Sequence, residues 1–347
     1  MRPLNFSLAA ALLLAVPFSA KAFDRGQVSP FATLPAGNAG PEGLEVDRSG
    51  NAYVTTFGFT AAGPTTTPSQ LIVFDAGGKL IRQVTIAGSS PHVLGLAFHP
   101  STVALLVIDF GAGDVLDVNP KTGASKVFMT LPALPQPALG SGLNDITFDK
   151  AGNVYVSDSS QGVIWKTGAQ GGVATAWTND PLLRTTGVPP FGANGIRFNN
   201  RETAMFATNT GNDTVLRIPV SSGTAGPATV FANSINGADG LLIDDQDNLW
   251  IVENQSDDIV VLDSTGKVIA KLGDFDGVEK GSPVSLLFPA SLRFSGQDLL
   301  VTNLSLDLRI FSPTFVSLDS EWAAQVSRYT VVKLRARIPQ LTGEPRH

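Results

Sequence analysis

Asp239-Gly240-Leu241-Leu242-Ile243-Asp244-Asp245-Gln246-Asp247-Asn248-Leu249-Trp250-Ile251-Val252-Glu253 begins a stretch that continues through the apolar runs Ile259–Leu262 and Val268–Leu272. Its apolar runs are three to five residues long, and turn-forming residues such as Asp263-Ser264-Thr265-Gly266 separate them, so the stretch reads as four short strands. The same scheme recurs upstream, where Ile146–Phe148, Val154–Asp158, Val163–Lys166 and Val173–Trp177 are divided by Lys150-Ala151-Gly152-Asn153 and Gln170-Gly171-Gly172. The unit returns roughly every 50 residues, in the range of repeat architectures. Helical periodicity is nearly absent. With 35 Gly in 347 residues and four strands per unit, the pattern predicts an all-β, six-bladed β-propeller. A parallel β-helix is disfavoured, because its strands are more tightly spaced and lack these paired hairpins.

The chain ends indicate how the ring closes. Pro30-Phe31-Ala32-Thr33-Leu34-Pro35 resembles Lys126-Val127-Phe128-Met129-Thr130-Leu131-Pro132, the outermost strand of the second unit. The N-terminal strand is therefore expected to join the last blade, with Leu292–Phe294, Leu299–Thr302 and a late strand near Val331–Arg337. Such closure removes the two free edges of an open array.

Arg2, the apolar run Leu8–Val16 and Ala20-Lys21-Ala22 have the form of a cleavable leader over residues 1–22, which predicts export to the periplasm or beyond. Residues 23–347 then form a single domain. The run is too short to span a bilayer, and with no Cys there is no lipid-modified cysteine anchor. Of 24 basic residues, 22 remain without Arg2 and Lys21; against 30 acidic ones the net charge is −8. That acidic balance excludes a nucleic-acid footprint. The lack of Cys also excludes disulfides, thiolate catalysis and Cys-based zinc sites. A small-molecule substrate and a monomeric state are expected.

Laying the units over one another reveals a polar column. Glu42, Asn144, Asn194 and Asp239 occupy one position, each just before an apolar run, and the other two units place Leu94 and Ala290 there. In a propeller this position lines one mouth of the axial channel, so the four side chains converge. Carboxylate and amide oxygens suit a hard divalent cation, and Glu42 with Asp239 would offset its charge. Four such residues at equivalent positions point to a site more strongly than to four independent turn caps.

On these motifs the chain resembles the gluconolactonase, regucalcin and senescence-marker family of six-bladed metal-dependent lactonases. The resemblance rests on Pro41-Glu42-Gly43-Leu44, Leu143-Asn144-Asp145, Asn194-Gly195-Ile196 and Asp239-Gly240-Leu241-Leu242-Ile243-Asp244 in order. It implies one divalent metal, Ca²⁺ foremost with Zn²⁺, Mn²⁺ or Mg²⁺ compatible, held by Glu42, Asn194 and Asp239. It places Asn144 beside the metal, on the substrate or a water. The expected reaction is hydrolysis of a lactone or related cyclic ester, with Asp239 as base and Asn144 as donor to the developing oxyanion. A non-enzymatic binding propeller with a structural metal and a metal-dependent lyase are the alternatives.

One position departs from the family pattern. Sugar-lactone members often carry Arg two residues before the third-blade Asn, where this chain has Gly142. The loops 57–70, 131–142, 181–193 and 272–289 are rich in Pro and apolar residues, and an insertion over 304–327 carries Phe311, Phe315 and Trp322. Together they predict an apolar vestibule, a possible lid and a substrate less polar than a simple sugar lactone. Elsewhere the chemistry is bland. His92, His99 and His347 lack metal-ligand spacing, no Gly-x-Ser-x-Gly elbow is present, and Asp274–Gly277 lacks the further ligands of a calcium loop. Trp165, Trp177 and Trp250 are expected to pack between blades, and Asp109, Asp158 and Asn209 to cap hairpin turns or reach the substrate.

Overall fold

The computed structural model describes residues 25–316 and 318–338; the expected leader lies outside them. Strands dominate, and one α-helix (Leu318–Ala323) with three 3-10 turns is the helical content of the described residues. None of their helices is long and apolar enough to cross a membrane.

The strands form six four-stranded antiparallel groups in chain order. The fifth contains Ala238–Ile243, Leu249–Glu253, Asp258–Leu262 and Val268–Leu272, matching the four apolar runs of its sequence. The first strands of the groups, Pro41–Val46, Val93–Phe98, Leu143–Phe148, Ala193–Phe198, Ala238–Ile243 and Pro289–Ser295, contact one another in sequence, and the sixth contacts the first. In the sixth group Ser29–Thr33 is the outer strand. It pairs antiparallel with Thr330–Arg335, so that Ser29 stands opposite Lys333.

Two details depart from a uniform repeat. The outer strands of the second and third groups touch through a short parallel pairing, Met129 to Gly172 and Thr130 to Val173, which fuses them into one eight-stranded sheet. The fourth group carries an extra hairpin at Thr224–Ala225.

Local chemistry explains the repeat. At the far end of three inner strands an Asp closes the turn: Asp47, Asp149 and Asp244 each accept from the backbone and side-chain amide of an Asn four residues on, and from Tyr53, Tyr155 or Trp250. The same aromatic residues then meet the next group edge to face. Ring centroids are 5.1 Å apart for Tyr53 and Phe98, 5.0 Å for Tyr155 and Phe198, and 5.5 Å for Trp250 and Phe294, contacts worth about 0.5–1.5 kcal/mol each beyond burial. Trp177 also packs between groups, against Tyr155 and Phe198. Trp165 is buried and donates to Asp158.

The inner strands share one irregularity. In every group the pairing of the first two strands slips at the same place, between Pro41 and Leu44, Val93 and Leu96, Leu143 and Ile146, Ala193 and Ile196, Ala238 and Leu241, and Pro289 and Leu292. Two residues there oppose one, which is a β-bulge. The first of each pair is the column residue: Glu42, Leu94, Asn144, Asn194, Asp239 or Ala290.

Candidate functional site

A bulge re-aims a side chain, and here six of them act in concert. The residue after the column is Gly in four groups. A Cβ on Gly95, Gly195 or Gly240 would lie 2.5 Å from the carbonyl oxygen of Asn144, Asp239 or Ala290 in the next group, and one on Gly43 would collide with that of Leu94. Glycine thus lets neighbouring column residues approach through their backbones. Hydroxyls of the second strands lock the contact: Thr55 donates to Leu94 O (2.6 Å), Thr208 to Asp239 O (2.7 Å) and Thr302 to Glu42 O (3.1 Å).

The result is one small cavity of ≈ 30 Å³, lined by Glu42, Asn144, Asn194 and Asp239 together. The volume suits a water or a single ion. Thr210 and Asn254, not singled out by the sequence, complete its polar wall. Asn194 Nδ2 donates to Thr210 Oγ1 (2.9 Å), which leaves the amide oxygen available as an acceptor, and Asn254 Nδ2 donates to Asp239 Oδ2 (3.1 Å). Both sit just past a second strand, as does Ser159 in the third group, and only superposing this second position of the repeat would have found them. The Asn144 amide makes no side-chain hydrogen bond to another described residue.

The electrostatics are those of buried carboxylates without full compensation. Glu42 is buried and its Oε2 has no hydrogen-bond partner. Burial first, then the charges of Asp239 and Asp145, drive its carboxyl well above the usual range against the opposing pull of Arg293. Burial also pushes Asp239 up to about 7, while the Asn254 and Asn194 amides restrain it. Beneath the column a second cavity is lined by Asp145, Arg197 and Arg293. Arg197 bonds Asp145 at 2.5 Å and Arg293 bonds Glu45 at 3.3 Å. Ionised, the four carboxylates Glu42, Glu45, Asp145 and Asp239 face two guanidiniums, a deficit that one divalent cation would cancel. Among the described residues no three His, Cys, Asp or Glu side chains cluster as a metal site. The donor set is instead two carboxylates with amides, and those oxygens fit a hard cation.

The roof is apolar. Phe57, Pro189, Phe191 and Phe288, from three of the four loops, line the cavity's other side with Leu304 and Leu306 of the insertion and the column residue Leu94. Phe57 touches Phe59, Phe110, Phe191 and Phe311 at ring separations of 4.7–6.5 Å. The fourth loop, 131–142, does not line the cavity. Gln161 anchors it, donating to Gln136 O and Gly140 O and accepting from Gln136 N, and the loop's Leu131 and Leu134 pack against the apolar cluster that holds Phe57. Phe315 packs in the cluster that holds Phe57, whereas Trp322 pairs with Phe275 elsewhere. Gly142 has no room for an Arg, because a Cβ would lie 2.7 Å from Ser160 N. Asp109, Asp158 and Asn209 are taken up by turns: Asp109 accepts from Ser90 N and Ala112 N, Asp158 from Gly142 N and Gln161 N, and Asn209 donates to Leu182 O and Arg184 O. His92 and His99 bond the carbonyls of Phe57 and Gly152.

An all-β array of four-stranded repeats whose inner strands gather hard oxygen donors around a buried cavity defines a propeller-like protein with a polar axial site. The chain belongs to the SMP-30/gluconolactonase/LRE-like family, whose sequence profile matches residues 91–274. No curated protein matches it in sequence. Among solved structures it is similar to a gluconolactonase from Xanthomonas campestris (12% identity, 89% of each chain, TM-score 0.59). It is also similar to regucalcin, a calcium-binding protein from Agrobacterium tumefaciens (17% identity, 92% of this chain and 97% of that one, TM-score 0.58). A luciferin-regenerating enzyme is 16% identical over 87% of this chain and 92% of its own, with a TM-score of 0.57. At these identities the likeness is one of fold.

Proposed function

We propose that the six strand groups are the blades of a propeller closed by the N-terminal strand, and that this exported, monomeric protein hydrolyses a lactone or related cyclic ester with one divalent cation, Ca²⁺ foremost. The observation that carries the reading is the convergence of Glu42, Asn144, Asn194 and Asp239 on one cavity in which Glu42 Oε2 lacks a partner. Family membership and the gluconolactonase among the structural neighbours support the hydrolase, and the calcium-binding neighbour supports the ion.

Glu42, Asn194 and Asp239 would hold the cation, with Thr210 and Asn254 fixing two of these ligands. When bound, the cation supplies polarisation of the ester carbonyl and acidification of water. Asp239 would take the proton of the attacking water. The free Asn144 amide would donate to the carbonyl oxygen as charge develops there. Phe57, Phe191 and Phe288 would exclude bulk water and favour a substrate less polar than a sugar lactone.

A panel of lactones and esters, assayed with and without Ca²⁺, Mn²⁺ and Zn²⁺ and with products weighed by mass spectrometry, tests this. Gain of water that disappears on chelation and in Asp239→Ala is expected. Full activity in either condition refutes the mechanism, and ring opening without mass change makes the protein a lyase.

A further inference from the structure

A second ring of the repeat lies beneath the column. Three residues beyond each column position stand Glu45, Ala97, Thr147, Arg197, Leu242 and Arg293. One residue beyond it, the third group alone carries a carboxylate, Asp145, where four of the others have Gly. The charged members form two ion pairs. Arg197 of the fourth group bonds Asp145 of the third at 2.5 Å, and Arg293 of the sixth bonds Glu45 of the first at 3.3 Å. In ring order the two pairs face each other across the axis, because groups three and four lie opposite groups six and one. Their side chains are between 12% and 17% exposed, so solvent and salt screen them weakly. Asp145, Arg197 and Arg293 line the lower cavity together with Glu42 and Asp239.

The two pairs are built in differently. Asp145 also accepts from Ile146 N (2.8 Å) and Ile196 N (3.0 Å), and Arg197 donates to the carbonyls of Ile146 and Ile196, so that pair braces two bulged strands. Arg293 donates to one carbonyl, that of Leu292 at 2.9 Å, and Glu45 accepts from Val46 N at 2.8 Å. The charge of Arg293 nevertheless reaches the column. Burial and the charges of Asp239 and Asp145 push the Glu42 carboxyl up, and Arg293 pulls it back. Each pair is neutral within itself, which leaves Glu42 and Asp239 as the uncompensated charges at the column.

Resting on the cation site proposed above, we infer that Glu45 and Arg293 are specificity residues for that ion: they set the charge the column accepts without ligating the ion. Glu45 lines neither cavity, and a guanidinium cannot be a ligand. Coulomb energy scales with the product of the two charges. A negative charge gained near the column therefore favours a trivalent over a divalent ion of the same size, and a negative charge lost does the opposite. With Arg293 neutralising Glu45, the column holds two negative charges, which match a divalent ion. Arg293→Met takes that number to three, Glu45→Gln takes it to one, and the double substitution returns it to two.

The test titrates Ca²⁺ and Tb³⁺, a trivalent ion of similar size that also takes oxygen ligands, into the protein by calorimetry. The readout is the ratio Kd(Ca²⁺)/Kd(Tb³⁺). That ratio should rise about tenfold in Arg293→Met and fall about tenfold in Glu45→Gln. In the double variant it should return to within about threefold of the wild-type value. A general loss of packing weakens both ions alike and leaves the ratio in place. Arg293→Lys, which keeps the charge, should keep the ratio, and with Glu45→Gln it decides the matter even if Arg293→Met does not fold. A ratio unchanged in Glu45→Gln, one shifted in Arg293→Lys, or a double variant displaced as far as either single one overturns the inference while the cation site stands. Binding of neither ion by the wild-type protein overturns both.

Discussion

Glu42 and Asp239 carry the site's charge, and each has a distinct measurable consequence. Glu42→Gln removes the carboxylate whose Oε2 lacks a partner, and with it half of the charge deficit around the cavity. Saturating Ca²⁺ at about 100 times Kd should stabilise the wild-type protein by ~2.7 kcal/mol; differential scanning calorimetry should show this rise in Tm lost in Glu42→Gln. Thr210 acts one step back, through its 2.9 Å bond from Asn194. Residues that orient ligands typically contribute 10–100-fold in metal affinity. Thr210→Val should accordingly weaken cation binding by ~10-fold in calorimetric titration, and unchanged affinity would remove Thr210 from that role.

At the level of elements, the bulged inner strand is the device that turns a repeat into a site. Gly195 is its tightest test, since a Cβ there meets Asp239 O at 2.5 Å and Leu241 N at 2.8 Å. Gly195→Ala should cost about 1–3 kcal/mol in denaturant unfolding and displace Asp239 as well. The insertion touches the site from another side. Asp257 accepts from Phe288 N at 2.6 Å, and burial followed by the charge of Asp319 on the short helix raises its carboxyl to about 8. The folded protein therefore holds a proton that the unfolded chain releases near pH 4. The associated stability is complete below that pH and declines as pH rises towards 8. Asp257→Asn, which keeps the acceptor, should leave Tm nearly unchanged at pH 4 and raise it at pH 8 by a few degrees, for a gain of ~1–2 kcal/mol. A larger gain at pH 4 would contradict the assignment.

For the whole molecule, the N-terminal segment is the element that joins beginning to end. Arg25 bonds Asp258 at 2.6 Å and Gly273 O at 2.6 Å in the fifth group, and Ser29–Thr33 then pairs with Thr330–Arg335 in the sixth. Removing residues 23–35 strips the outer strand from one sheet and leaves Asp258 with Glu253 and Lys271 alone. A fall in Tm of ~10 °C or more is expected by thermal unfolding, and an unchanged Tm would sink the closure proposed above.

Period, strand order and turn chemistry are local properties, and they were legible along the chain: the Asp239–Leu272 stretch announced four strands because each apolar run and each turn lies within a few residues of its cause. The column was legible for the same reason, since a repeat brings equivalent positions together whatever their details. Thr210 and Asn254 were not, because one Thr and one Asn after a strand look like any turn residue until their partners across the bulge are known. Nor was the fate of the loops. Loop 131–142 has the composition of a vestibule wall, yet it is anchored by Gln161, 25 residues from Gln136, and packs behind the cavity's apolar residues through Leu131 and Leu134 without lining the cavity. The residues alone determined the repeat, the all-β class and the set of oxygen donors, because these follow from short-range pattern. Only the tertiary structure decided which apolar residues roof the cavity, how the carboxylates of Glu42, Glu45, Asp145 and Asp239 are only half offset by Arg197 and Arg293, and which acceptor is left unpaired, because those depend on contacts between groups far apart in the chain.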